Sequence, residues 1–279
     1  MTEQLAANGQ DLNPGTRWCW VEDFAPVLVS PTRRGQNTPV PGRHGEIRTP
    51  NKRYGVTDLV VPLWVLGVNQ ITGKPPVDTY RQLHDNIDQL MRLFTTPTVT
   101  LTYTRDNGYA RQAVCEPMLE PVLFERQRSL PAAAQMKVAL TILDAFWLDA
   151  SPVTQNITGA TGTTQELTEF ASASAPMTDL RVTFQGPVNN PQLLHGTKSV
   201  QYQGVIPSGR QLVLNTKTWT PSPGTGAAWS PDLRQVSFFP GPPWFELDPS
   251  VAPFAVTFNH TGGGSASCSI TGPRAYLSP

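Results

Sequence analysis

Charge is scarce in this sequence. Only 15% of its 279 residues are Asp, Glu, Lys or Arg, against the usual quarter. The 21 basic and 21 acidic side chains cancel, so the totals give no footing for a nucleic-acid or anionic-membrane partner. Cysteine is scarce too: Cys19, Cys115 and Cys268 are odd in number and far apart. They form no disulfide framework and no metal-ligand spacing, which fits synthesis in a reducing compartment. No apolar run approaches the ~20 residues of a membrane span, and residues 1–15 lack the apolar stretch of a signal peptide. A chain made in the cytoplasm, soluble and with no membrane partner, is the expectation. On that route the sequons at Asn156 and Asn259 carry no weight.

Local catalytic patterns are also missing. The histidines His44, His84, His195 and His260 are far apart and none sits in a metal-binding motif. No serine lies in a nucleophile elbow. Residues 159–164 suggest a phosphate cradle but lack its lysine, and Gly262, Gly263 and Gly264 are followed by no helix, so no dinucleotide fingerprint is present. Paired acids such as Glu116/Glu120 or Glu246/Asp248 could in principle serve glycoside hydrolysis, but most carboxylates do no chemistry. No enzyme, cofactor or metal is expected.

What the chain does have is 28 prolines, about twice the ordinary share, and short, regularly spaced apolar runs. A strand is expected in 17–29, where Trp18 and Trp20 flank Cys19, and a central one in 56–66, which is dense in Val and Leu. Residues 78–94 carry the clearest helical pattern: Asp78 is placed to cap it, and Tyr80, Leu83, Ile87, Leu90, Met91 and Phe94 recur every three or four residues. Arg81, Gln82, Asp85, Asp88, Gln89 and Arg92 fill the other face. Next, Val99, Leu101 and Tyr103 alternate with threonines, and Asp106-Asn107-Gly108 turns into a partner strand over 109–114. Strands at 122–128 and 134–148 continue the pattern, the latter with Val138, Leu140, Ile142, Asp144 and Phe146 on one face.

A boundary falls near residue 150. Residues 151–175 are mostly Ser, Thr, Ala, Gly and Asn, and are expected to join neither core. Strands are expected at 180–184, 198–202, 211–214, 235–239, 254–258 and 267–271, separated by turn clusters, as in a sandwich or jelly roll. The fold class is mainly β: a β domain with one α-helix over residues 1–150, then an all-β domain over 151–279.

Two features bear on function. The loop over 30–53 is long for a compact domain. It is stiffened by Pro41 and Pro50, with Gly42 and Gly45 free to take positive φ, and it carries Arg43, His44, Glu46, Arg48, Lys52 and Arg53. Five basic side chains within eleven residues of a neutral chain suit either a solvated loop or one that pairs with an acidic surface on a neighbouring subunit. The tryptophans Trp219, Trp229 and Trp244, near Tyr202 and Phe245, either fill the core or stack on sugar rings. A non-catalytic carbohydrate-binding β-sandwich module is therefore the alternative function, with a β-rich hydrolase a distant third.

The order of these pieces resembles the distal tail proteins (Dit) of long-tailed bacteriophages, the actinobacterial-host branch in particular. The likeness rests on Pro41-Gly42-Arg43-His44-Gly45, on the strand and helix over 56–94, and on residues 100–111 leading to Leu140, Asp144, Phe146 and Trp147. It continues through residues 207–215, Leu247-Asp248-Pro249 and Arg274-Ala275-Tyr276-Leu277, and so spans nearly the whole chain. The resemblance implies a tail-tube-like β domain with one helix and a galectin-like sandwich. It also implies a structural role at the virion tail tip, as a hexameric ring joining the tail-tube and tape-measure proteins to tip, baseplate and receptor-binding proteins. DNA would only pass through the lumen. The family has no catalytic residues, and a sandwich fold alone supplies no sugar site, so the hub reading expects no binding of simple sugars.

Overall fold

The fold comes from a computed structural model. It describes residues 3–34, 38–39, 46–47, 53–127, 132–218, 220–224, 229, 231–239, 245–262 and 266–279, with backbone alone at 38–39, 46–47, 119–127 and 233. The chain divides into two compact units, residues 1–150 with 277–279 and residues 151–276. The architecture is mainly β, with a single α-helix among the described residues.

In the first unit the strands are β1 (Gln4–Ala7), β2 (Gln10–Asp11), β3 (Cys19–Val21), β4 (Thr57–Leu66), β5 (Val99–Thr104), β6 (Ala110–Gln127), β7 (Ala133–Ile142) and β8 (Trp147–Asp149). They form an antiparallel sheet in the order β2-β1-β5-β6-β7-β4-β3, and β8 also pairs with β6. Strand alternation explains how the sheet makes a core. In β4 the side chains of Thr57, Leu59, Val61, Leu63 and Val65 are buried in turn, as are Val99, Leu101 and Tyr103 in β5, because successive side chains leave a strand on opposite faces. The β5–β6 turn closes where sequence chemistry predicts it, with Gly108 at φ +82°.

Helix α1 (Thr79–Phe94) packs on β4 and β7 and buries Leu83, Asn86, Leu90 and Phe94. The Asp78 side chain accepts from the Arg81 amide at 2.9 Å, satisfying one of the helix's open N–H groups. The buried face departs from the apolar periodicity, with Ile87 and Met91 only half-buried. Tyr80 is exposed, whereas Asn86 is fully buried. The Asn86 amide explains this: its Nδ2 donates to the carbonyls of Leu66 at 2.7 Å and Val68 at 3.0 Å, while its Oδ1 accepts from Gln70 at 2.9 Å and Gln82 at 3.0 Å. All four hydrogen-bonding positions of the amide are filled, tying the helix to the exit of β4. Gly67 makes that approach possible, since a Cβ there would stand 1.9 Å from the Thr79 carbonyl oxygen.

The expected run over 17–29 is strand only at Cys19–Val21, and 134–148 is interrupted. Between β7 and β8 the chain turns with Ala145 at φ +63°. The turn takes Asp144 off the buried face of Val138, Leu140 and Ile142 and leaves it exposed.

The second unit holds two antiparallel sheets. Its strands are β9 (Val153–Thr158), β10 (Thr163–Glu166), β11 (Arg181–Gln185), β12 (Val188–His195), β13 (Lys198–Tyr202), β14 (Val205–Ile206), β15 (Gln211–Asn215), β16 (Thr220–Pro223), β17 (Val236–Phe239), β18 (Ala255–Thr261) and β19 (Ser267–Gly272). One sheet runs β9-β19-β11-β15-β16 and the other β10-β18-β12-β13-β17, with β14 beside β12. Phe184 of β11 and Phe258 of β18 stack across the gap with ring centroids 6.0 Å apart, so the sheets face one another as a sandwich.

Residues 151–175 require a correction. This stretch is not a bare connector: β9 lies along β19 and β10 along β18, and Ile157, Leu167 and Phe170 are buried. Backbone pairing compensates for the few large side chains.

Candidate functional site

The basic loop leaves the first unit through a two-residue ladder, in which Arg33 pairs with Tyr54 and Arg34 with Arg53. The Arg33 guanidinium lies 5.4 Å from the centre of the Tyr54 ring, within cation–π range. Tyr54 in turn meets Phe146 edge-on, with centroids 5.2 Å apart. The root of the loop is thus anchored on aromatic packing while Arg33, Arg34 and Arg53 stay exposed. Glu46 is in a second short ladder, opposite Pro39. Arg43, His44, Arg48 and Lys52 lie outside the described residues, as do Trp219 and Trp244. Trp229 is half-buried and meets Tyr202 edge-on, with centroids 6.4 Å apart.

The first unit also has an open cleft of about 500 Å³ beside the β5–β6 turn, lined in part by Glu3, Tyr103, Arg105 and Asp106. Its arginines are engaged: Arg105 donates to the Pro279 carbonyl, and nearby Arg111 to that of Ser278 at 2.6 Å. Burial, with a hydrogen bond to Glu3, pushes the Tyr103 hydroxyl pKa up to about 12, so that it stays protonated at neutral pH.

A second open depression, about 510 Å³, lies on the second unit. The register of its sheet sets Asn259 opposite Gln192, Gln192 opposite Gln201, and Gln201 opposite Ser237. Directly paired residues share a face, and this is the outer one, because the alternate positions Phe258, Leu193, Val200 and Tyr202 are buried. Asn259 Nδ2 donates to Gln192 Oε1 at 3.1 Å. Asn190, Gln203 and Thr261 extend the lining, which includes no Asp, Glu, Lys or Arg.

Of the acid pairs, Glu116 is exposed and the Glu120 side chain lies outside the described ones, while Glu246 and Asp248 are engaged otherwise. Glu246 is ion-paired with Lys198, and Asp248 Oδ1 accepts from the Ser250 amide at 2.9 Å and its hydroxyl at 2.7 Å. His195 is buried, with Nδ1 2.8 Å from the Ala255 carbonyl and Nε2 3.1 Å from the Asp248 amide nitrogen and 3.2 Å from the Asp248 carbonyl. Among the described residues, no three His, Cys, Asp or Glu side chains stand close enough to hold a metal ion. The three thiols are buried, and desolvation raises each pKa, that of Cys115 to about 12; such thiols are poor nucleophiles.

Comparison with known proteins places the fold. The crystal structure of the SPP1 Dit protein (gp 19.1) superposes with a TM-score of 0.64, over 98% of this chain and 99% of that one, at 13% sequence identity. The fold is Dit-like. That neighbour is described as a paradigm of the hub adsorption apparatus in phages infecting Gram-positive bacteria. No protein-family model matches the sequence, and no curated protein matches it either.

Proposed function

We propose that this chain is a structural, non-catalytic hub protein at the distal end of a long-tailed phage tail. The observation that carries the reading is the extent of the Dit likeness: 98% of one chain lies on 99% of the other. Agreement over a whole chain, helix-bearing sheet and sandwich included, is more demanding than sharing a common sandwich fold. In this reading the first unit is tube-like and forms a sixfold ring, and the second is the galectin-like domain. The ring joins tail-tube and tape-measure proteins on one side to tip, baseplate and receptor-binding proteins on the other, and DNA crosses its lumen only in transit. An actinobacterial host is the branch the sequence resembles.

In a ring of identical subunits each contact is heterologous, so a loop on one copy meets a different surface on the next. The basic loop suits that role. Its root at Arg53 is anchored through Tyr54 on Phe146, and a partly preset shape lowers the ordering cost of binding. Native mass spectrometry of the purified chain over a concentration series tests the ring. The expected result is a species six times the 30.5 kDa chain mass; a chain that stays monomeric throughout refutes the ring.

A further inference from the structure

We propose that the outer face of the β10-β18-β12-β13-β17 sheet is a binding site for a neutral saccharide. The inference stands on the second unit alone and does not depend on the hub reading. It also departs from the expectation that simple sugars are not bound, and it places the site on amides rather than on tryptophans.

Three observations point to this ligand class. The first is the row Asn259, Gln192, Gln201, in which three primary amides from three strands lie side by side. Each pairs a donor with an acceptor in one planar group, which matches adjacent sugar hydroxyls that donate and accept at once. The Asn259–Gln192 hydrogen bond holds two of the amides in place. The Gln201 side chain makes no hydrogen bond among the described residues, so its donors and acceptor face solvent.

The second is the adjacent row on the same face, which runs Thr164, Thr257, Leu194, Ser199, Phe239. Phe239 is 67% exposed. It sits two residues along β17 from Ser237, the neighbour of Gln201, and side chains at that spacing share a face. An exposed ring beside amides offers a flat apolar surface to the C–H face of a pyranose while the amides take its hydroxyl edge.

The third is charge. Neither row contains an Asp, Glu, Lys or Arg, and the depression they border has none in its lining. The wet face of an antiparallel sheet is ordinarily polar and often charged; on this one Glu166 is exposed at the edge strand, two residues along β10 from Thr164, and the two rows themselves are uncharged. A phosphorylated or uronic-acid polymer would find no Lys or Arg here, and His260 in the lining has its ring nitrogens against the Gly262 and Gly159 carbonyls, 3.1 and 3.4 Å away. A nucleic acid would lack the basic contacts that dominate its affinity.

The test uses the full chain on an array of neutral oligosaccharides of four to six units, built from glucose, galactose, mannose, rhamnose or N-acetylglucosamine. Sulfated and phosphorylated counterparts are included. Hits are followed by titration calorimetry. At least one neutral oligosaccharide is expected to bind saturably, with Kd on the order of 0.1 mM, as suits a shallow site. Gln201→Ala and Phe239→Ala, both at positions that leave the core intact, should each weaken binding about tenfold with melting temperature unchanged. The proposal is overturned if no neutral oligosaccharide binds, if only charged ones do, or if both variants bind like the parent. Loss of binding in a folded Trp244→Ala variant with Gln201→Ala unaffected would also overturn it, by moving the site to the tryptophans.

Discussion

Asn86 is the side chain on which the helix-to-sheet joint of the first unit depends. Replacing it with leucine keeps similar volume and removes the amide. The carbonyls of Leu66 and Val68 then lose donors that stand 2.7 and 3.0 Å away. Gln70 and Gln82 lose a shared acceptor, but both side chains are only half-buried and can turn to water. Each buried carbonyl left without a partner costs about 1–3 kcal/mol, so the two together should cost about 2–6 kcal/mol. That is a large part of the roughly 5–15 kcal/mol that holds a domain folded. Asn86→Asp retains the acceptor and sets a buried carboxylate against two carbonyl oxygens, so it should cost at least as much. Gln82→Ala, which removes only one contact to Asn86, should cost about 1 kcal/mol or less. Hydrogen exchange read by mass spectrometry suits the question, because peptides of α1 and β4 report on this joint separately from the second unit. Protection over Thr79–Phe94 should fall in Asn86→Leu while β18 and β19 keep theirs. If Asn86→Asp protected α1 as well as the parent does, the clamp would not be what fixes the helix.

Gly67→Ala should destabilise the first unit by about 1–3 kcal/mol, since the added Cβ meets the Thr79 carbonyl at 1.9 Å; urea unfolding gives the number, and an unshifted midpoint would exclude the close approach. His195→Ala should cost about 2–4 kcal/mol by leaving the Ala255 carbonyl and the Asp248 amide unpaired, with His195→Gln intermediate, both read by thermal melts. The thiols set an alkaline limit: their folded pKa values are raised above the ordinary value of 9.0 by burial, so the unfolded chain loses protons first. Stability is then complete below pH 9 and declines as pH rises from 9 toward the folded values, by about 4 kcal/mol per pH unit for three thiols. Changing all three to alanine should flatten that limb in urea titrations at pH 9–11, and an unchanged slope would refute it. For the loop, Arg43→Glu, Arg48→Glu and Arg53→Glu together should abolish rings while the monomer stays folded, although single alanine changes should do little; analytical ultracentrifugation of a triple variant that still forms rings would free the loop of that role.

Much of the fold was legible wherever pattern and backbone agree. Lys198–Tyr202 is a strand over the span its alternation implies, and the Asp106-Asn107-Gly108 turn closes the hairpin it promises. Strands built from Val153-Thr154-Gln155-Asn156-Ile157-Thr158 and from Val188 to His195 were not legible, because their polar composition imitates a loop and only pairing with β19 and β18 reveals them. The helix was clear, yet Asn86 reads as an ordinary polar interruption until the β4 carbonyls are placed opposite it. The amide row was invisible for a similar reason. Gln192, Gln201 and Asn259 belong to three strands, and register alone sets them side by side. The anchoring of the basic loop on Tyr54 and Phe146 also depends on residues distant in sequence.

The central claim is a position in a virus particle, and labelling tests it most directly. Antibodies raised against the chain would be applied to the particle fraction of cells expressing its gene in its native setting, then viewed by electron microscopy with gold. Gold is expected at one place, the tail end farthest from the head. Gold along the tail tube, gold over the head, or a particle fraction without the chain would contradict it.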